Sequence, residues 1–382
     1  MPPAPCCAPS PPPHLLNVLG PDFPGHAKRF LYTSTTVHGE PVATSGFVIE
    51  PANPWRGQGP TPTVVFGPAT RSSADACAPS RGLFLTTQVD PANLAWGTNF
   101  ELGAYEAAAL LGMRAVVTDY IGLGAPGAHT FALHDEEAHA MLDAARAIVP
   151  AGDPIAFYGY SQGGGAAAAA AEKQPSYAPE LNVKGTFAGA PPADLLATLD
   201  GVDRSAITAV IGYAANGWSE RFPEIGGAIA DNTNDRGRQF VESTSHSCLF
   251  DDALRWGGTN TATLTTNGSS VGDVLASYPD VAQHFIDQRL GQVVPPTPIM
   301  VTTPGGDDVV PTEQVTQLAH EYCAAGGQVT YLNENIPALT PGSSFKPGAN
   351  HVAGVFTELV PSFNWIMDRF NGVPVRSNCG TF

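Results

Sequence analysis

The sequence predicts an α/β fold, with a mostly parallel central sheet flanked by helices and one mainly helical insertion. Three observations carry this. Short β-rich runs alternate with stretches of helical period along most of the 382 residues. The alternation is lost only between about residues 193 and 295. Finally, "FYGYSQGGGAAAAAAEK" (157–173) runs from an apolar strand through a serine and three glycines into a helix-forming alanine segment. Alternation of this kind builds a parallel sheet with covering helices.

Taken in order, residues 1–13 form a Pro-rich tail, too poor in large apolar side chains to pack alone and therefore expected to be flexible. "ATSGFVIEP" and "TPTVVFGPA" alternate or run apolar between turn residues, as strands do. An Ala- and Leu-rich helical stretch around 101–112 precedes the strand "MRAVVTDYIG". "HDEEAHAMLDAARAIV" opens with acids and continues at helical spacing, and "DPIAFYGY" is the next strand. After "VKGTFAGAPP" the pattern breaks. It returns with "TPIMVTTPG", the helix "TEQVTQLAHEYCAAG", the strand "QVTYLNEN" and an amphipathic helix near 354–370. Residues 14–192 and 296–382 therefore form the core, and 193–295 the insertion.

Composition limits the function classes. Charged residues make up 14% of the chain, below the roughly 25% of an average soluble domain, which fits a sparsely charged, secreted surface. Against 18 Lys and Arg stand 35 Asp and Glu. A formal charge of −17 repels phosphate backbones and anionic membranes, so nucleic acid is not an expected partner. Gly and Pro, 41 and 36 residues, recur without a period and so mean turns rather than collagen. No apolar run approaches the ~18 residues needed to span a bilayer, and the N-terminus lacks a basic start and an apolar core; if the protein is exported, its signal is expected to have been removed. Four of the six cysteines, Cys77, Cys248, Cys323 and Cys379, are widely spread, while Cys6 and Cys7 lie in the tail. None forms a C-x-x-C pair, which disfavours zinc and redox chemistry and fits two long-range disulfides.

"GYSQG" (159–163) is G-x-S-x-G between a strand and a helix, the pattern of a nucleophile elbow. Gly159 and Gly163 allow the sharp turn that lifts the Ser161 hydroxyl clear of the sheet, and the backbone N–H of Gln162 faces a developing oxyanion. The alanines let the following helix pack closely. A serine nucleophile needs a base and an acid, which follow it along the chain in this arrangement. His246 and His284 fall in the insertion and His320 sits mid-helix. His351, in the glycine-bounded loop "KPGANHVAG" after the last strand, is the expected base. The acid ends the preceding β segment in "TTPGGDDVVP", which offers Asp307 and Asp308, and residues alternating across a strand end let only one of them point at the imidazole.

Two other patterns are set aside. "YIGLGAPG" contains G-x-G-x-x-G at Gly122, Gly124 and Gly127, but the next helix begins near His134, so these glycines do not open it and read as a loop near the rim of the site. In "HDEEAH", His134 and His139 are five apart and do not share a helix face as H-E-x-x-H does; the segment reads as a solvated helix start.

Taken together, "YTSTTVHGEPVATSGFVIEP", "CAPS" (77–80), "VVTDYIGLGAPGAHTF", "MLDAARA", "GYSQGG" and "DDVVP" with a loop histidine far downstream resemble the secretory lipases of fungi and actinobacteria, which include the Candida lipase A type. The resemblance spans most of residues 20–380. It implies an α/β-hydrolase fold, a helical cap over the site, and hydrolysis of carboxylic esters including acylglycerols. It also implies a triad of Ser161, Asp307 and His351, with Asp307 chosen because the family's acid stands four residues before the proline of "VP", here Pro311. Pairings of Cys77 with Cys248 and of Cys323 with Cys379 follow from it too. One departure concerns the second oxyanion donor: the family's aspartate directly before the "CAPS" cysteine is here Ala76, and Asp75 stands one residue earlier, either as that donor or as a loop cap. The expected partner is a small-molecule or lipid ester, with transient contact at a lipid interface; no metal or organic cofactor is expected. Acyl transfer and, behind it, peptide hydrolysis are the alternative uses of such a triad. Cutinases share "GYSQG" but are about half this length.

Overall fold

A computed structural model describes residues 6–7, 25–82, 87–90, 95–343 and 345–382; the rest of the predicted N-terminal tail lies outside the described residues. The main sheet has the order β1-β2-β3-β7-β4-β8-β9-β10-β11. Its members are β1 (Cys6–Cys7), β2 (Gly25–Thr35), β3 (Pro41–Pro51), β4 (Thr63–Gly67), β7 (Arg114–Thr118), β8 (Pro154–Tyr160), β9 (Asn182–Gly189), β10 (Ile299–Pro304) and β11 (Val329–Glu334). From β7 across to β11 neighbours are parallel, whereas β1, β2 and β3 pair antiparallel at one edge. A separate hairpin joins β5 (Thr87–Asp90) and β6 (Ala95–Thr98).

The central strands read as continuous apolar runs because both faces are covered. All seven residues of β8 are buried. Helices α1 (Leu102–Leu110), α2 (His134–Ile148) and α3 (Gln162–Tyr177) follow the first half of the sheet. In α3, Ala166 to Ala171 are 3% exposed or less, so small side chains are what allow the close approach.

Seven helices follow β9: α4 (Leu195–Val202), α5 (Val210–Arg221), α6 (Pro223–Asn232), α7 (Asp235–Thr244), α8 (Leu249–Trp256), α9 (Val271–Ala276) and α10 (Pro279–Asp287). The chain then re-enters as β10, which pairs directly with β9 in parallel, Ile299 opposite Thr186. The helical segment thus leaves and rejoins the sheet between adjacent strands, and the strand alternation resumes unaltered. An apolar cavity of about 60 Å³ lies inside it, lined by Leu199, Ile211, Trp218, Phe240, Leu275 and Phe285 among others. Its lining contains neither Ser161 nor His351, so it belongs to the packing of the helical segment.

The remaining helices are α11 (Thr312–Ala324), α12 (Ala349–Thr357) and α13 (Leu359–Phe370). The single helix predicted near 354–370 is therefore two. The break at Glu358 has a local cause, since Pro361 has no N–H to offer the Thr357 carbonyl. Two disulfides bind distant parts together, Cys77–Cys248 (Cα–Cα 6.0 Å) and Cys323–Cys379 (5.5 Å). Near the second, the Asn378 side chain bonds both the N–H and the carbonyl of Tyr331 (2.8 and 2.7 Å), covering the edge of β11.

Candidate active site

Ser161 stands between β8 and α3 with φ 57° and ψ −124°, a strained conformation for a non-glycine residue. Its backbone is held on both sides, the N–H donating to the Gly189 carbonyl (2.8 Å) and the carbonyl accepting from Gly165 (3.0 Å). The elbow's glycines answer to backbone contacts. A Cβ on Gly159 would lie 1.9 Å from the Gly163 carbonyl, and one on Gly163 would lie 1.9 Å from the Gly67 carbonyl at the end of β4. No side chain fits at either position. As the first residue of α3, Gln162 has an N–H without an intrahelical acceptor, free to meet an anion.

His351 lies across from the serine, its Nε2 2.9 Å from Ser161 Oγ, and its Nδ1 is 2.8 Å from Asp307 Oδ2. A carboxylate only accepts, so the proton sits on Nδ1 and the Nε2 lone pair faces the hydroxyl. Asp307 has no exposed side-chain surface. Its second oxygen accepts from the amides of Val309 and Val310 (2.9 and 3.0 Å), which fixes the carboxylate. The Tyr160 hydroxyl donates to the His351 carbonyl (2.7 Å).

Several expectations change here. His351 occupies the first turn of α12 and not an open loop. Asp307 and Asp308 lie in the turn beyond β10, where strand alternation no longer governs direction. Both therefore reach the same helix: Asp308 Oδ2 accepts from Gly348 and Ala349 (2.8 and 3.1 Å), and its Oδ1 from the His351 N–H (3.3 Å). Asp75 is exposed, and its carboxylate accepts the Gly124 amide (2.9 Å). It thus pins a loop. The segment that abuts the elbow is instead the one leaving β4 at Gly67. Buried Arg71 pairs with buried Glu101 (2.7 Å) there, and Glu101 also accepts the Ala69 amide (2.8 Å). Burial pushes the Glu101 carboxyl up, with Arg71 pulling the other way.

"HDEEAH" is likewise not a solvated helix start, since His134, Glu136 and Glu137 are all buried. Glu136 is paired with Arg221 (2.7 Å), and His134 Nδ1 donates to the Gln288 carbonyl (2.6 Å). His139 turns to the Thr35 carbonyl (2.8 Å), so the two histidines have separate partners. Burial also pushes Glu358, which accepts from Thr302 and neighbours Asp307, well above the usual carboxylate range. None of these buried polar groups was legible, because each partner comes from a distant part of the chain. The other insertion and helix histidines stay apart from Ser161: His284 meets Glu224 (2.5 Å) and His320 stacks on Phe382.

A parallel sheet with a strained elbow serine, and an acid and a histidine on later segments, defines the α/β-hydrolase fold. The family model for secretory lipases matches residues 94–378, and the chain belongs to that family. A "probable inactive lipase" of Mycobacterium tuberculosis is 28% identical over 359 residues, covering 93% of this chain and 76% of its own. A secreted triacylglycerol lipase of Malassezia furfur is 29% identical over 263 residues, 66% of this chain and 51% of that one. Among solved structures, Candida antarctica lipase A in its closed state superposes with TM-score 0.80 at 23% identity, covering 99% of this chain and 83% of that one. A rice cell wall degrading esterase of Xanthomonas oryzae gives TM-score 0.73 at 20% identity, with 90% and 91% covered.

Proposed function

We propose that this protein is a secreted carboxylic-ester hydrolase, a lipase or esterase, that works through an acyl-enzyme on Ser161. The observation that carries the reading is the continuous relay from Ser161 Oγ through both nitrogens of His351 to Asp307, at 2.9 and 2.8 Å. His351 takes the proton as Ser161 attacks the ester carbonyl, and Asp307 holds the imidazole in its tautomer and steadies the imidazolium. The Gln162 N–H, with a second donor from the segment after β4, meets the oxyanion. The alcohol leaves with the proton from His351, and water then cleaves the acyl-enzyme by the same route.

The substrate is an acyl ester, small or lipidic. Val352 and Phe356, 53% and 70% exposed, stand one turn apart on the helix that carries His351 and supply an apolar rim for transient contact with a lipid interface. Residues 193–295 act as a cap that selects the acyl chain; shortening it should change activity on palmitate esters more than on acetate esters. Two disulfides support work in an oxidising, extracellular setting.

The deciding experiment is a p-nitrophenyl ester panel from acetate to palmitate, run with a peptide anilide and an added alcohol acceptor, alongside labelling with a fluorophosphonate. Ester turnover with label on Ser161 is expected. Anilide cleavage, preferential acyl transfer to the alcohol, or neither turnover nor label, as the name of the mycobacterial relative would suggest for that protein, would each replace this reading.

A further inference from the structure

Behind the elbow lies a buried polar chain that the hydrolytic steps above do not use. Glu137, 1% exposed, accepts two hydrogen bonds on Oε1, from the Ala132 amide (2.9 Å) and from the Gln162 side chain (2.7 Å). Its other oxygen, Oε2, is buried and has no hydrogen-bond partner among the described residues. The Gln162 amide nitrogen also lies 3.2 Å from His129 Nε2. His129 Nδ1 is 3.1 Å from the Ile121 carbonyl, so it carries the ring proton, and Nε2 is left to accept from Gln162. Both N–H bonds of the Gln162 side chain are thereby engaged. The ring of His129 stacks on Tyr120 (5.9 Å), whose hydroxyl donates to the Pro68 carbonyl (2.9 Å) in the segment leaving β4.

Packing alone would not call for these groups. The buried residues that follow Gln162 in the first turns of α3 are glycine and alanine, and burying an acid, an amide and an imidazole costs free energy unless they are hydrogen-bonded. We infer that Glu137 and His129 are positioning residues for ester cleavage: through the Gln162 side chain they clamp the residue whose backbone N–H meets the oxyanion. The inference rests on the reading of Ser161 as nucleophile. An oxyanion donor is effective only if it is already aimed before charge develops, and a side chain held at both N–H bonds cannot swing its own backbone away.

The clamp works uncharged. Burial pushes Glu137 up to about 8, the hydrogen bonds from Gln162 and Ala132 opposing it, and burial pushes His129 down to about 4. The groups around Glu137 are Tyr120 and His129 from the segment before α2, Gln162 from α3, and Glu136 and His134 on its own helix. Glu136 is committed to Arg221, and among the described residues no cation pairs with Glu137. At neutral pH the orphaned Oε2 therefore carries the proton. Losing it places a buried negative charge one side chain from the site where the transition state must become negative, and so slows acylation.

The test compares the wild-type enzyme with Glu137→Leu, Gln162→Leu and Glu137→Gln on p-nitrophenyl butyrate, measuring the acylation burst, kcat and KM from pH 6 to 10, per active site titrated with fluorophosphonate. Both leucine variants should lose ~10- to 100-fold in kcat, up to the loss caused by removing one oxyanion donor, with KM within about threefold. Glu137→Gln, which keeps the accepting oxygen, should recover most of that loss at pH 7. It should also lack the alkaline fall near pH 8 expected of the wild type. A kcat within about twofold of wild type in both leucine variants would overturn the clamp. So would a Glu137→Gln profile that falls near pH 8 as the wild type does, and this comparison decides the matter if the leucine variants fail to fold. A wild type that is active and labelled at Ser161 confines either failure to the clamp; a wild type that turns over no ester and takes no label overturns both readings.

Discussion

Asp308 and His351 are joined through the main chain: the carboxylate accepts from the His351 N–H and from the Gly348 and Ala349 amides at the same helix start, while the neighbouring Asp307 takes the ring. Two adjacent acids thus divide one task, one orienting the imidazole and the other anchoring the helix start that carries it. Asp307→Asn should lose kcat by about 10⁴, the loss known when a serine protease triad acid becomes an amide and favours the wrong tautomer. Asp308→Ala should instead lower stability by roughly 1 to 2 kcal/mol, as loss of a helix cap does, with a kcat loss of under about tenfold. Urea denaturation and steady-state kinetics on both variants distinguish the roles, and reversed results would move the orienting acid by one residue.

Ser161→Ala should abolish both ester turnover and fluorophosphonate labelling while the protein stays folded, because no other hydroxyl lies within hydrogen-bond distance of His351 Nε2 among the described residues. Peptide mapping of the labelled wild type checks this. A label on another serine contradicts it.

Cys77–Cys248 closes 171 residues and ties the segment before the β5–β6 hairpin to the start of α8, where Cys248 is the N-cap. Replacing both by serine should cost up to about 5 kcal/mol in the chain-entropy picture, with measured values often lower. Thermal unfolding with and without reductant measures it. Non-reducing peptide maps should show this pair and Cys323–Cys379, and free thiols at these four positions would contradict the pairing.

Glu172 predicts a pH trend. It accepts from the Tyr322 hydroxyl (2.5 Å) and the Gly291 amide (2.8 Å), joining α3, α11 and the exit of the helical segment. Burial pushes it up to about 7, against the hydrogen bond from Tyr322 and the other groups that lower it. A folded pKa above the unfolded one means that the folded state holds the proton longer. Its stabilisation is full below the unfolded value near 4.5 and is lost as pH rises to about 7, a change of up to roughly 3 kcal/mol. Glu172→Gln keeps the acceptor and does not titrate, so its Tm should rise relative to wild type between pH 5 and 8. A difference in Tm that stays constant over this range would rule the trend out.

The acidic limb should come from histidines. His129 and His134 are both pushed down to about 4 by burial, so the stability they contribute is present above about 6.5 and is lost as pH falls through 4. Replacing His134 by Gln should flatten the fall in Tm between pH 6.5 and 4. A fall as steep as in wild type would assign the acid limb elsewhere.

The sequence by itself determined the α/β alternation, the elbow at Ser161 and the late position of its partners, because each is written in local terms: strand runs, a turn that only glycine permits, and order along the chain. Spacing to Pro311, read through the family resemblance, also singled out Asp307. Tertiary structure alone decided what became of the polar residues. It brought Ser161 to a histidine 190 residues away, and gave Asp308 the helix start. It set Asp75 on Gly124 and buried the acids of "HDEEAH" that their sequence context presented as solvated. The physical reason is that the state of a polar side chain depends on desolvation and on its partners. For Glu137 the partner is Gln162, 25 residues on, and for Glu136 it is Arg221, 85 residues on, and no local pattern encodes either meeting.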